Sequence, residues 1–337
     1  MRREYDESDA RVRPGRRGSR PRSKIRPAHL DAVPGTVVGI DRGRLAVHMD
    51  DGVALTAVKA RELGRRGLVI GDRVAVVGDT SGQDGSLARI VRRQPRVTEL
   101  RRTADDTDPK ERVVVANAEQ LAIVTSLADP APNPRMIDRC LVAAFDAGMD
   151  ALLVLTKGDL ASADALRDSY DPLGVALLTT TMRTVGEDRT FTGLDELRER
   201  LHGRSTVLVG YSGVGKSTLV NAIVPDAQRT TGVVNDVTGR GRHTSTSMIA
   251  FDLPDGGRII DTPGIRSFGL AHVNPDSFIA AFPDVAEAAA EGCPRGCTHE
   301  SAEAGCALDA WASTPDQEAR VASIRRLLAA RAEGDAW

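Results

Sequence analysis

The chain has 337 residues, 41% of them apolar and 27% charged, with a net charge of −2. That length leaves room for two or three domains with buried cores, and the balance is that of a globular protein rather than a disordered or fibrous one. No apolar run approaches the roughly 18–20 residues needed to span a bilayer, and Arg2 and Arg3 have no apolar stretch behind them, so neither a membrane span nor a secretory signal is expected and the cytoplasm is the expected compartment.

The charge is unevenly spread. Residues 1–102 hold 23 Lys+Arg against 13 Asp+Glu, and the remaining 235 hold 22 against 34. A basic front on an acidic body points to a polyanionic partner docking at one end, with a solvated, partnerless tail as the plainer alternative. Residues 1–33 open the chain as a disordered basic arm: ten basic and four acidic residues fall within 1–30 among Pro, Gly and Ser, without an apolar period.

From 34 to 104 the texture changes to short alternating stretches, "GTVVGI", "RLAVHM", "VALTAV" and "DRVAVVGD", separated by the turn strings "DRGR", "DDG" and "SGQDG". Five short strands in about 70 residues predict a small all-β barrel, OB-like, although an SH3-like barrel would write nearly the same string. No Phe, Tyr or Trp occurs between Tyr5 and Phe145, so the barrel lacks the aromatic platforms on which single-stranded bases stack. Its arginines (Arg42, Arg44, Arg65, Arg66, Arg73, Arg89, Arg92 and Arg93) suit phosphates and the shape of folded RNA.

Residues 110–270 read differently. "LAIVTSL", "ALLVLTK", "GVALLTT", "STVLVG" and "GRIIDTPG" are continuous apolar runs that end in polar or small loops, with helical patterns such as "PRMIDRCLVAAFDAG" and "GLDELRERL" between them. Alternating buried strands and helices predict a parallel, doubly wound sheet, whose ligand belongs at the carboxyl ends of the strands. Residues 271–337 are helix-forming, with a closing amphipathic stretch at 316–335.

The motifs sit on those strand ends. "GYSGVGKST" at 210–218 fits G-x-x-x-x-G-K-[ST] after a strand and before a helix. Gly210, Ser212, Gly213, Val214, Gly215 and Thr218 would bring backbone N–H groups to phosphates, Lys216 would reach the β/γ oxygens, and Ser217 would ligate Mg²⁺. "DTPG" follows 45 residues after Lys216, so Asp261 would hold the Mg²⁺ shell through water and Gly264 would let a backbone N–H meet the γ-phosphate. In the intervening "TGRGRHTSTSMI", Thr244 would close over Mg²⁺ and γ-phosphate as a mobile switch, with Thr246 the rival. "TKGD" at 156–159 fits the guanine-reading [NT]-K-x-D loop: Asp159 would accept from guanine N1–H and its exocyclic amine, and Lys157 would lie along the base. Adenine lacks those donors and would leave the carboxylate unpaired.

Base reader before phosphate loop reverses the usual order. With the order [NT]KxD, P-loop and DTPG, a small barrel in front and a Cys/Cys/His/Cys cluster behind, residues 34–320 resemble the bacterial circularly permuted GTPases, and within them the ribosome small subunit-dependent GTPase A family. The resemblance implies a GTP hydrolase that matures the small (30S) ribosomal subunit, binds 16S rRNA, is stimulated by the subunit and works as a monomer. It also places Thr180 and Thr181, in "LLTTT", at the second guanine-side loop. A permuted GTPase of the large subunit and an RNA-binding adaptor with a merely stabilising nucleotide site are the competing readings.

Three positions depart from the family pattern. Thr156 stands where Asn is usual, which puts its tie to the P-loop in question. Ile265 follows DTPG in place of the water-orienting Gln of many GTPases, so intrinsic hydrolysis should be slow and the missing group must come from elsewhere, either His243 beside the switch Thr or the ribosome. His243 as a plain phosphate or RNA contact is an equal reading. In the cluster Cys293-x3-Cys297-x-His299-x6-Cys306 the first spacing is three rather than four. Three Cys and one His within 14 residues of a cytosolic chain predict one structural Zn²⁺ per monomer rather than disulfides, whereas Cys140, on an apolar helix pattern, reads as core.

The fold class expected is therefore multi-domain: an OB-like barrel, a central α/β P-loop GTPase domain with permuted motif order, and a helical zinc-binding domain. The strand ending in "DTPG" is the last of its sheet and runs straight into residues 271–337, so movement of 239–268 would pull on that end.

Overall fold

The computed structural model describes residues 29–41, 43–64, 67–102, 112–185, 188–224, 248–262, 268, 270, 273–301 and 305–332. Its first five strands, β1 (Val33–Asp41), β2 (Arg44–Met49), β3 (Ala54–Lys59), β4 (Arg73–Gly78) and β5 (Ala88–Arg93), pair in the order β1-β2-β3-β5-β4, and β4 closes back on β1. The β3–β5 pair is parallel, which a simple antiparallel meander could not give, so the barrel is the Greek-key OB kind. Inward-facing Val37, Val47, Leu55, Val74, Val76 and Ile90 fill it. Arg44, Arg61 and Arg89 stand exposed on its surface.

A hairpin of β6 (Glu99–Arg102) and β7 (Arg112–Ala116) leads out of the barrel. Asp72, fully buried just before β4, accepts from Arg96 Nε at 2.6 Å and Nη2 at 3.0 Å, and Asn117 donates to the Gly71 carbonyl at 2.8 Å, so the exit is fixed by a charge-assisted pair and a neutral bond beside it.

The nucleotide-type sheet follows. β8 (Gln120–Ser126), β9 (Asp150–Thr156), β10 (Ala176–Thr179), β13 (Ser205–Val209) and β15 (Arg258–Asp261) are parallel in the order β10-β9-β8-β13-β15, and β14 (Ile249–Asp252) pairs antiparallel with β15. The strands are mostly apolar because helices cover both faces, and Thr206 on β13, one of their few buried polar groups, donates to the Gln120 side chain on β8 at 3.0 Å. On one face α3 (Leu194–Leu201) and α4 (Lys216–Ile223) bury Leu197, Leu201, Leu219 and Ile223. On the other, α1 (Pro134–Asp146) and α2 (Asp164–Tyr170) pack beneath the C-terminal helices. α1 starts where the Asn133 side chain accepts from Met136 N at 3.1 Å and Pro134 occupies the first turn. The remaining hairpin, β11 (Thr181–Val185) with β12 (Asp188–Thr192), forms its own two-stranded sheet. Gly39 on β1 pairs with Ile249 on β14, which makes barrel and nucleotide sheet one continuous sheet.

The C-terminal part comprises α5 (Pro275–Ile279), α6 (Pro283–Gly292), α7 (Leu308–Trp311) and α8 (Pro315–Ala332). Thr314 and Gln317 cap α8 reciprocally, each side chain accepting from the other's backbone N–H, at 3.3 and 3.2 Å. α8 lays Val321, Ile324, Leu327 and Leu328 against the core, and Phe145 of α1 meets Phe282 edge-on at 5.0 Å between ring centroids. Arg139 of α1 is buried, donating to the carbonyls of Phe268 at 2.7 Å and Ala330 at 3.2 Å. Cys140 is core, as expected: burial pushes its thiol up to about 12.

Candidate functional site at the strand carboxyl ends

The loop between β13 and α4 has the conformation its glycines permit. Gly213 and Gly215 adopt φ of 84° and 90°. A Cβ on Gly210 would collide with the Val124 carbonyl oxygen of the neighbouring strand, so only glycine lets the loop leave β13 there. Val214 turns its side chain into the core, while Ser212 and Ser217 are exposed. Lys216, on the first turn of α4, pairs with Asp261 at the end of β15. Two predicted residues 45 positions apart thus meet at one point, with Ser217 beside them.

Thr156, the departure from Asn, keeps a tie to the loop. Its hydroxyl donates to the Val214 carbonyl at 2.5 Å, and a second carbonyl, that of Thr125, lies 3.3 Å away. Lys157 follows with φ of 56° and donates to the Asp129 carbonyl. Gly158 N–H bonds the Thr180 carbonyl at 3.1 Å, and Thr180 N–H bonds the Leu155 carbonyl at 2.7 Å, which locks the TKGD loop to the "LLTTT" loop. Together these segments enclose a cavity of about 370 Å³ lined by Thr156, Lys157, Asp159, Thr180, Gly213, Gly215 and Thr218, with apolar walls from Leu160, Met182, Phe191 and Leu219. Thr181 does not line it; it pairs with Thr192 at the foot of the β11–β12 hairpin. Met182 and Phe191 were missed by sequence reasoning, because only the register of that hairpin brings them together. Thr262 was also missed: it is fully buried just after Asp261, and its hydroxyl donates to the Leu208 carbonyl at 2.6 Å. His243, Thr244, Thr246, Gly264 and Ile265 lie outside the described residues.

The second cluster is the expected one. Cys293, Cys297, His299 and Cys306 bring their ligand atoms within 4.8 Å of one another. Cys293 Sγ lies 3.6 Å from His299 Nδ1 and 3.9 Å from Cys306 Sγ, and Cys306 Sγ lies 3.7 Å from the same nitrogen. A tetrahedral ion with bonds of ~2.3 Å to sulfur and ~2.05 Å to nitrogen sets S···S near ~3.8 Å and S···N near ~3.6 Å, so the edges match. The short x3 spacing closes through Gly296 at φ of 77° and a Cys297 N–H bond to the Pro294 carbonyl at 3.1 Å. Burial pushes the Cys293 thiol up to about 11, with neighbouring thiols adding to the rise. Outside the ligands, Ala307 N–H points at Cys293 Sγ at 3.3 Å and Arg325 donates to the His299 carbonyl at 3.3 Å while paired with Asp309.

A P-loop closing a parallel sheet, an acid at the end of the adjacent strand and a base-side loop that comes earlier in the chain define a P-loop GTPase of circularly permuted order. Residues 93–271 match the family described as RsgA GTPase. Proteins named small ribosomal subunit biogenesis GTPase RsgA from Ectopseudomonas mendocina (strain ymp) and Pseudomonas aeruginosa (strain LESB58) are each 39% identical over 275 residues, covering 80% of this chain and 76% and 77% of theirs. The chain belongs to the RsgA GTPase family and is a GTP hydrolase. The solved structure of YjeQ from Thermotoga maritima shares its fold at a TM-score of 0.60 and 24% identity, covering 88% of this chain and 99% of that one. YloQ, described as a circularly permuted GTPase, does so at 0.60 and 20%, covering 90% and 98%. Among the described residues no helix is long and apolar enough to cross a membrane.

Proposed function

We propose that this GTPase matures the small ribosomal subunit, binding GTP at the strand carboxyl ends and 16S rRNA through its basic barrel and metal-bearing end. The observation that carries the nucleotide reading is the single cavity that unites the TKGD loop, the Thr180 loop and the P-loop. The target follows the printed name of the relatives, small ribosomal subunit biogenesis GTPase, together with the excess of 23 basic over 13 acidic residues in 1–102.

In this reading Asp159 accepts from the guanine edge, Lys157 lies along the base and Thr180 meets it from the side, with Thr181 supporting that loop. Gly210, Ser212, Gly213, Val214, Gly215 and Thr218 present the phosphate-facing backbone. Lys216, paired here with Asp261, would reach the β/γ-phosphate oxygens, and Asp261 would hold the magnesium shell through water. Ser217 and Thr244 would hold Mg²⁺, which neutralises charge building on the transferred phosphoryl group. Gly264 admits a backbone N–H to the γ-phosphate, and His243 or the docked subunit orients the water that Ile265 leaves unattended. Cys293, Cys297, His299 and Cys306 hold one Zn²⁺, which supplies a fixed crosslink of this short helical end.

The division of labour is a basic arm (1–33), a barrel (34–104), a GTPase domain (110–270) and a zinc-binding end (271–337), in a cytoplasmic monomer. The test is GTP turnover by the purified chain, alone and with isolated small or large subunits, with Lys216→Ala as control. Slow basal turnover, raised at least about tenfold by small subunits only and lost in the control, is the expected result. Equal stimulation by large subunits overturns the target, and no stimulation by either overturns the ribosome-triggered mechanism.

A further inference from the structure

We infer that the β11–β12 hairpin is a clamp on the nucleotide base, with Met182 and Phe191 as positioning residues that cover one face of the purine while Asp159 reads its edge. The inference rests on the nucleotide reading of the cavity. Met182 and Phe191 are direct cross-strand partners, and both line that cavity beside Leu160. Met182 is 38% exposed and Leu160 55%, two of the few large apolar side chains left open to water among the described residues, and they sit at the same cavity. Apolar groups grouped around a few polar ones is the composition of a small-molecule pocket rather than of a solvated hairpin.

The hairpin's construction fits a wall that closes on its ligand. Among the described residues it joins no larger sheet, and two strands alone are marginal in water. It is tethered at its feet, where Thr180 N–H bonds the Leu155 carbonyl and α3 begins directly after β12. A planar base lying between hairpin and P-loop would cover Met182 and Phe191 and add apolar packing to the hairpin. Stacking is tolerant of base identity because every base has a π-face, so the clamp adds affinity and residence time without choosing guanine. Choice belongs to Asp159, whose replacement by Asn offers a donor to the C2 carbonyl of xanthine.

The two roles separate in a titration of the full-length protein with GDP and XDP. Phe191→Ala should raise the Kd for GDP about tenfold through a faster off-rate, and raise it by the same factor for XDP in the Asp159→Asn background. Met182→Ala should show a smaller shift of the same kind. Phe191→Trp keeps the surface and should lose indole emission when GDP binds; it carries the test should the alanine variant fold poorly. If Phe191→Ala binds GDP within twofold of the parent and Phe191→Trp emission ignores GDP, while Asp159→Asn still redirects base choice, the clamp is wrong and the pocket stands. If Asp159→Asn leaves GDP and XDP affinities unchanged as well, the pocket reading fails and the clamp with it.

Discussion

Replacing Thr156 by valine removes one hydroxyl from the base of the nucleotide site and changes almost nothing else. The residue is 6% exposed at the end of β9, and its hydroxyl has a single proton, which the geometry gives to the Val214 carbonyl at 2.5 Å rather than to Thr125 at 3.3 Å. Valine fills the same volume but leaves the Val214 carbonyl without that donor. A buried acceptor stripped of its partner costs about 1–3 kcal/mol, and the second lone pair together with water reaching the open loop places this case in the lower half, about 1–2 kcal/mol. If that cost falls on the loop conformation that binds phosphate, GDP affinity drops roughly 5- to 30-fold.

Calorimetric titration with GDP, beside thermal unfolding of the nucleotide-free protein, measures both halves of the effect. Thr156→Ser keeps the hydroxyl and gives up one methyl, so it should bind GDP close to the parent. The reasoning fails if Thr156→Val binds with parental affinity, or if Thr156→Ser is as impaired as Thr156→Val, since the methyl and not the hydroxyl would then be the operative group.

Gly210→Ala places a Cβ against the Val124 carbonyl, a backbone atom that cannot swing aside, so the variant should lose soluble expression or most GDP binding, read by the yield of folded protein and by titration. Cys306→Ala removes one of four ligand groups held within 4.8 Å; zinc content measured by atomic emission should fall well below one per chain and unfolding should begin at the C-terminal end, where proteolysis would report it. Asp50 is held below its ordinary value of 3.8 by its bond to Arg73, so its contribution to stability is present above the unfolded value and lost as pH falls through the lower folded one. Asp50→Asn should therefore cost stability in urea at pH 7 and converge on the parent as pH falls through the lowered folded-state value; a difference independent of pH would refute the pairing.

The parts of the fold that could be read from sequence are those where one local pattern decides. Largely apolar runs marked β8, β9, β13 and β15 because strands covered on both faces favour apolar side chains. The metal cluster was legible because its four ligands fall within 14 residues. What escaped depends on distant partners. Asp138 and Arg139 look like the polar side of α1, yet both are buried, since α8 covers that side: Arg326 reaches Asp138 across 188 residues at 3.1 Å, and Arg139 reaches Ala330. Burial raises the Asp138 carboxyl even so, against the pull of Arg326. The β11–β12 hairpin escaped because "TMRTV" and "DRTFT" are too polar to advertise a strand, and Met182 meets Phe191 only through register. The barrel's OB order was open until β3 was found parallel to β5.

The two flanking parts attach to the same piece of the GTPase. β14 follows the segment proposed to carry the Thr244 switch, and β15 ends at Asp261 just before Gly264, so the antiparallel β14–β15 pair lies between the two segments proposed to meet the γ-phosphate. The barrel holds the outer edge of that hairpin: Gly39 pairs with Ile249, and His48 bonds Asp252 at 2.5 Å while Arg258 holds the other oxygen of the same carboxylate at 2.6 Å. Beyond β15, Arg139 ties the Phe268 carbonyl to the end of α8. Permutation is what makes this possible, because it frees the end of β15 to lead directly into the C-terminal helices. A displacement of the hairpin that follows phosphate loss would be felt at both ends of the molecule through these few bonds, and a partner gripping both ends would in turn bias the hairpin, since coupling between two sites is reciprocal.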